Sequence, residues 1–240
     1  MKKSFSTFGY VALGLFILVL GSGQIRAADN PFPPDGIDHL MFAAPSLEQG
    51  MDDIEALLGV RPVPGGHHPQ YGTHNALLSL GPGMYLEVIA RDPSLPEPEN
   101  GVLVELPDGA PSQLITWIYR TADIDGAVIA ANAKGAGLGR VETGSRKTPA
   151  GTIIRWQLTN PSAMPMEGAI PFLINWGNTP HPSLVVPAGG RLTALRIYHP
   201  DPDSVGPALG ALGADVSVIE ANSFRLEATI ETAEGVVTLR

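Results

Sequence analysis

The sequence predicts an α+β protein made of repeated βαβββ modules, two of which pair into a cup while a third follows. Three observations predict it. Alternating apolar runs and one amphipathic helical stretch recur in the same order three times along the chain. The helix-capping residues Ser46, Asp123 and Asp201 stand 77 and 78 residues apart, a spacing that sets the module length. The 28 Gly and 23 Pro punctuate short elements, as a sheet-rich chain with many turns requires.

The first module opens with a strand over residues 37–44, after which Pro45 and Ser46 start a helix. Gln49 stands three residues beyond Ser46, the spacing of a capping box. Leu47, Met51, Ile54, Leu57 and Leu58 share one helical face, and Gly59 stops it. A short segment at 60–62 and a Gly-rich loop lead to strands at 73–80 and 84–90, joined by a Gly81-Pro82-Gly83 turn. The second module repeats this. A strand at 114–120 precedes a helix capped by Asp123 and stopped by Gly135 and Gly137, and strands follow near 140–143, 152–159 and 170–176. The third has a strand at 192–198, a helix from Asp201 to Gly213, and strands at 216–219, 224–230 and 236–239. Two paired modules can curl their open sheet faces into a ligand-binding cup. The third has no module left to pair with, so it is expected to act as a lid or to pair across a homodimer.

Residues 1–27 read as a secretory signal. Lys2 and Lys3 precede an apolar run of eleven residues, 10–20, too short to span a bilayer comfortably, and Ala27 suits the position before the cut. The expected location is the periplasm or the exterior. Loss of Lys2, Lys3 and Arg26 would leave 15 − 3 = 12 basic residues against 24 acidic ones, a net charge of −12. Such a chain repels nucleic acid and anionic membrane, and the expected partner, a small molecule, follows from the cup. The absence of Cys excludes disulfides, thiolate nucleophiles and thiolate-bound zinc. No Walker motif or G-x-S-x-G elbow occurs, and the glycines at 135, 137 and 139 end a helix instead of cradling a dinucleotide.

Specific residues carry a family resemblance. They are Ile37-Asp38-His39-Leu40, Gly65-Gly66-His67-His68-Pro69, Gly72-Thr73-His74-Asn75, Tyr85-Leu86-Glu87, Ser145-Arg146, Pro149-Ala150-Gly151, Arg155-Trp156, the run from Pro171 to Gly177, and His181-Pro182. In this order and spacing they resemble the glyoxalase-like domain family of the vicinal oxygen chelate superfamily over about residues 36–185, with modules at 37–90 and 114–176. Residues 190–240 form the third module by pattern alone.

In metal-dependent members of that superfamily the ligands come from the first and last strands of the paired modules. The resemblance carries this onto His39 and Glu87 as ligands of a divalent metal. Strand alternation also turns both side chains into the cup, with Asn75 beside them and His74 directed away. Alignment through the helix caps places Thr116 opposite His39, and matching Tyr85-Leu86-Glu87 to Phe172-Leu173-Ile174 places Ile174 opposite Glu87, neither of them a customary ligand. His67, His74 or a third-module residue would have to complete the set. Without metal, His39 and Glu87 could act as an acid–base pair, or simply hold the sheet together as a buried hydrogen bond. Asn75, Arg146, Arg155, His67 and His74 are the candidate substrate contacts, with Arg146 in a hairpin and His67 in a loop at the cup mouth. Arg155 is either a cup residue or a solvated charge, depending on which strand face lines the cup. Trp117, Trp156 and Trp176 read as core, and His181-Pro182 as a turn. The expected activity is that of a lyase, isomerase or oxygenase acting on a small oxygenated molecule. The alternative is a binding or sequestering protein that keeps the fold without the chemistry.

Overall fold

The computed structural model describes residues 35–240. The expected secretory signal at 1–27, with its cut after Ala27, lies outside the described residues. No described helix is long and apolar enough to cross a membrane.

All three modules are built as βαβββ units. The first comprises β1 (Gly36–Ala43), α1 (Leu47–Leu58), β2 (Val63–His68), β3 (Thr73–Ser79) and β4 (Tyr85–Arg91). The second comprises β5 (Gln113–Arg120), α2 (Ile124–Asn132), β6 (Val141–Lys147), β7 (Ile153–Thr159) and β8 (Phe172–Asn175). The third comprises β9 (Arg191–His199), α3 (Pro202–Leu212), β10 (Ser217–Glu220), β11 (Arg225–Thr232) and β12 (Gly235–Leu239). The expected caps hold: Ser46, Asp123 and Asp201 each accept a backbone N–H of the following helix. The reciprocal half of the first capping box does not form, because the Gln49 amide donates to Asp53 instead.

The first two modules share one eight-stranded sheet of order β2-β3-β4-β1-β5-β8-β7-β6. They join where β1 and β5 run antiparallel. Strong curvature brings the edge strands β2 and β6 together, and the Arg146 guanidinium on β6 donates to the Gly65 carbonyl on β2. Gly66 is needed at this closure. It has a φ of +150°, and a Cβ there would lie 2.7 Å from the Lys147 carbonyl oxygen. One expectation is corrected by this closure: the Gly65-Gly66-His67-His68 stretch is a strand, not a loop. Arg146 lies in a hairpin as expected, on the β6 arm that pairs antiparallel with β7.

The sheet separates two cores. On its convex face Leu40, Phe42, Leu86, Val88 and Trp117 pack with α1 and α2. On its concave face Met41, Leu77, Tyr85, Ile118, Trp156, Phe172, Ile174 and Trp176 line the cup. The third module has its own four-stranded sheet, β10-β9-β11-β12. Its Leu195, Ile197, Val205, Leu209 and Ile230 join the convex-face core. It is therefore not a lid, and its apolar face is already covered within the chain.

Candidate functional site

The cup holds a small cavity of about 60 Å³ that opens to solvent. His39, Asn75 and Glu87 reach into it from β1, β3 and β4, as alternation predicts, and Arg146 reaches in from β6. His68, Tyr71, Tyr85, Trp156, Phe172, Ile174 and Trp176 complete most of its wall.

A buried polar chain runs behind one side of the cup. The His39 ring Nδ1 lies 2.7 Å from Asp38 Oδ1, and its Nε2 lies 3.3 Å from Glu87 Oε2. Asn75 Nδ2 donates to Glu87 Oε1 at 2.6 Å, and the Asn75 carbonyl oxygen is buried without a partner among the described residues. Tyr85 stacks on His39 with ring centroids 4.4 Å apart. Asp38 Oδ2 accepts from Arg120 at 3.1 Å and from Trp176 Nε1 at 3.0 Å, and lies 3.1 Å from His181 Nε2. Asp38 and His39 are consecutive, so a regular strand would turn them to opposite faces. The β1–β5 register slips between Ile37 and His39, and this bulge lets Asp38 brace His39 from behind.

The charges follow from these contacts. Burial disfavours a charged His39, but its hydrogen bonds to Asp38 and Glu87 outweigh this and raise its pKa to about 9. Burial alone would raise the pKa of Glu87, but the contact with His39 prevails and holds it at about 2. Asp38 is likewise held well below the usual carboxylate range, the hydrogen bonds from His181 and His39 overcoming its burial. His68 is different: burial pushes its pKa down to about 4, so it is neutral at pH 7. Its Nδ1 lies 3.1 Å from Thr73 Oγ1. Asp38 and Glu87 thus flank the His39 imidazolium, and Asp38 also takes Arg120, while Arg146 brings a guanidinium to the cup wall. Burial lowers the Arg146 pKa, and this guanidinium makes no ion pair among the described residues.

Several sequence expectations are corrected. Arg155 is exposed on the outer face of β7, because its neighbour Trp156 turns inward. His67 lies with Asp92 on the convex side of the sheet, outside the cup, beside His74, which points away from the cup as alternation predicts, so neither contacts the cup. Trp156 and Trp176 line the cup, and only Trp117 is core of the helix side. His181 belongs to the Asp38 network instead of merely marking a turn. Strand register pairs Ile118 with Phe172 as it pairs His39 with Tyr85, so Ile118, not Thr116, corresponds to His39. Thr116 is buried outside the cup and donates to the Gly168 carbonyl. Sequence reasoning passed over Asp38, Tyr71 and Arg120, and left His68 in a loop at the cup mouth. His68 was legible only if β2 was recognised as a strand, because alternation then turns it opposite to His67.

The donors in the cup do not fit a divalent metal. Among the described residues His39, Glu87 and His68 line it without forming a group of three within ligating distance, and the matching second-module positions hold Ile118 and Ile174.

A sequence model described as a glyoxalase-like domain matches residues 37–213. No curated protein matches the chain. Among solved structures, a hypothetical protein from Staphylococcus aureus superposes with a TM-score of 0.59 at 13% identity, covering 86% of this chain and 99% of that one. Methylmalonyl-CoA epimerase from Mycobacterium tuberculosis gives 0.39 at 22% identity, covering 62% and 90%. A variant of 4-hydroxymandelate synthase from Streptomyces coelicolor gives 0.45 at 14% identity, covering 87% and 63%.

Proposed function

Because the chain belongs to the glyoxalase-like domain family of the vicinal oxygen chelate superfamily, we propose that its cup binds a small oxygenated acid and transfers a proton on it, as a lyase or isomerase would, without a metal in the cup. The observation that carries this is His39, a buried imidazolium braced by Asp38 and set 3.3 Å from Glu87 on the cup wall. That contact is longer than the usual 2.7–2.9 Å of a charged hydrogen bond, so a ligand oxygen can compete for the His39 proton. Loss of that proton would also remove the contact that holds the Glu87 pKa down, so Glu87 becomes a better base as His39 acts as an acid. Arg146 supplies an unpaired charge for an anionic oxygen, and Trp156, Phe172, Ile174 and Trp176 take the apolar body. Oxygenase chemistry receives no support from these donors.

The test is hydrogen exchange in D2O with a panel of enolisable carboxylic acids, followed by NMR. The expected outcome is exchange at one carbon by the wild-type protein. His39→Gln and Glu87→Gln should each slow it by about 100-fold or more while the ligand still binds. Arg146→Gln should weaken binding about 10- to 100-fold, the loss of one charged hydrogen bond. Tight binding with no exchange would overturn the enzyme reading in favour of a sequestering protein. One observation favours that second reading: both His39 ring nitrogens and both Glu87 oxygens already have partners within the protein. In either case we propose that the mature chain acts outside the cytoplasm. N-terminal sequencing of the protein from its native cell would then find Ala28 as the first residue.

A further inference from the structure

A second cluster of ligating side chains lies on the far side of the sheet from the cup. His67 and His74 are direct cross-strand partners in the β2–β3 ladder, so their side chains project from the same face. Asp92 immediately follows β4 and is fixed there by its backbone N–H, which donates to the Gly72 carbonyl. The ligand atoms of these three residues lie within 4.8 Å of one another. Nδ1 of His67 is 2.5 Å from Asp92 Oδ2, and Nδ1 of His74 is 4.0 Å from Asp92 Oδ1. Ligands on arms of about 2.1 Å around a tetrahedral ion sit about 3.4 Å apart. The present spacings bracket that value, so small side-chain rotations suffice.

We propose that His67, His74 and Asp92 bind one divalent transition-metal ion. Two imidazoles on neighbouring strands and a carboxylate just past the end of a third form a set that selects ions such as Zn2+ over the harder Mg2+ or Ca2+. The carboxylate is already oriented, because Asp92 Oδ1 accepts from the Ser94 backbone N–H at 2.9 Å and from its hydroxyl at 2.6 Å. Exposure grades outward across the cluster. Asp92 is buried, His74 is partly covered and the His67 side chain is 60% exposed, which gives an ion a route in and leaves coordination positions for water. The nearby Arg91 guanidinium is engaged by Glu105. Bound metal would tie β2 to β3 and β4, and β2 also carries His68 into the cup wall. The ion would thus stiffen the cup from behind without touching the ligand.

The test is calorimetric titration of the chelator-treated full protein with Zn2+, with Co2+ absorption as a second readout of coordination. The expected result is one site, weakened at least tenfold in His67→Ala, His74→Ala and Asp92→Asn, and unchanged in Glu87→Gln. His67 is exposed, so its variant folds even if the others do not. No Zn2+ binding by the wild type below millimolar concentration would overturn the proposal. So would binding that persists in His67→Ala and is lost in Glu87→Gln. The Zn2+ result is independent of the proton-transfer reading, which is tested by exchange in the cup.

Discussion

At the scale of single residues, His39 and His68 stand on the same wall with opposite electrostatic histories, and stability should record both. His68 is held neutral to about pH 4, whereas an unfolded histidine takes a proton near 6.5. Between those values the unfolded chain binds the extra proton, so stability falls as pH drops below 6.5. His39 keeps its proton to about pH 9, whereas the unfolded residue releases it near 6.5. Across that window the folded chain holds the extra proton, so stability falls as pH rises. A further loss follows below about pH 4.5, where unfolded Glu87 protonates before the folded residue at about 2. Denaturant melts from pH 4 to 10 should therefore peak near 6.5. His39→Gln should flatten the alkaline limb and His68→Gln the acid limb. A profile unchanged by either substitution would refute these protonation states. Sequence pattern gave half of this chemistry. Alternation turned His39, Asn75 and Glu87 into the cup, where they stand, because β1 from His39 onward, β4 and β3 pair with one another without a register shift. It could not place Asp38, because the bulge that turns it behind His39 arises from pairing with β5, a partner 80 residues away in sequence.

At the scale of elements, the cup depends on where tertiary closure overrides local preference. Pro64-Gly65-Gly66 has poor strand propensity, and these residues are extended only because β6 lies against them. That is why β2 read as a loop and His68 was not placed on the cup wall, whereas α1, α2 and α3 were legible from their caps and apolar faces. Gly144 on β6 shows the same dependence. It pairs with Trp156 across the β6–β7 ladder, and the indole lies directly over its backbone, in the space a side chain would occupy. Gly144→Ala should therefore push Trp156 off the cup wall. The expected destabilisation is about 1–3 kcal/mol, as for other overpacking changes. Trp156 is one of three tryptophans, so the displacement should also shift the emission maximum and weaken ligand binding. An unchanged spectrum and affinity would mean that the wall tolerates the added methyl by moving β6 instead.

At the scale of the whole molecule, the third module separates stability from recognition. Its sheet and α3 contribute to the core beneath α1 and α2, and the Leu114 backbone N–H donates to the carbonyl of Arg240. The family match itself runs through α3 to residue 213. Yet no residue of this module lines the cup, whose wall among the described residues ends at Trp176. Leu209, 2% exposed in α3, tests the separation. Leu209→Ala removes buried methyl groups and should cost about 2–5 kcal/mol, read as a lower unfolding midpoint. Ligand affinity, measured well below that midpoint, should match the wild type, because the cup face of the sheet loses no contact. Truncation after residue 189 should be more severe, since it uncovers Tyr119, Leu138 and the convex-face core around them. That chain should aggregate or bind a hydrophobic dye instead of melting cooperatively. If it stays monomeric and melts as one unit near the wild-type temperature, the first two modules are self-sufficient and the shared core is an accessory to them. If Leu209→Ala weakens ligand binding at a temperature where the protein is fully folded, the third module sets the curvature of the sheet, and with it the width of the cup.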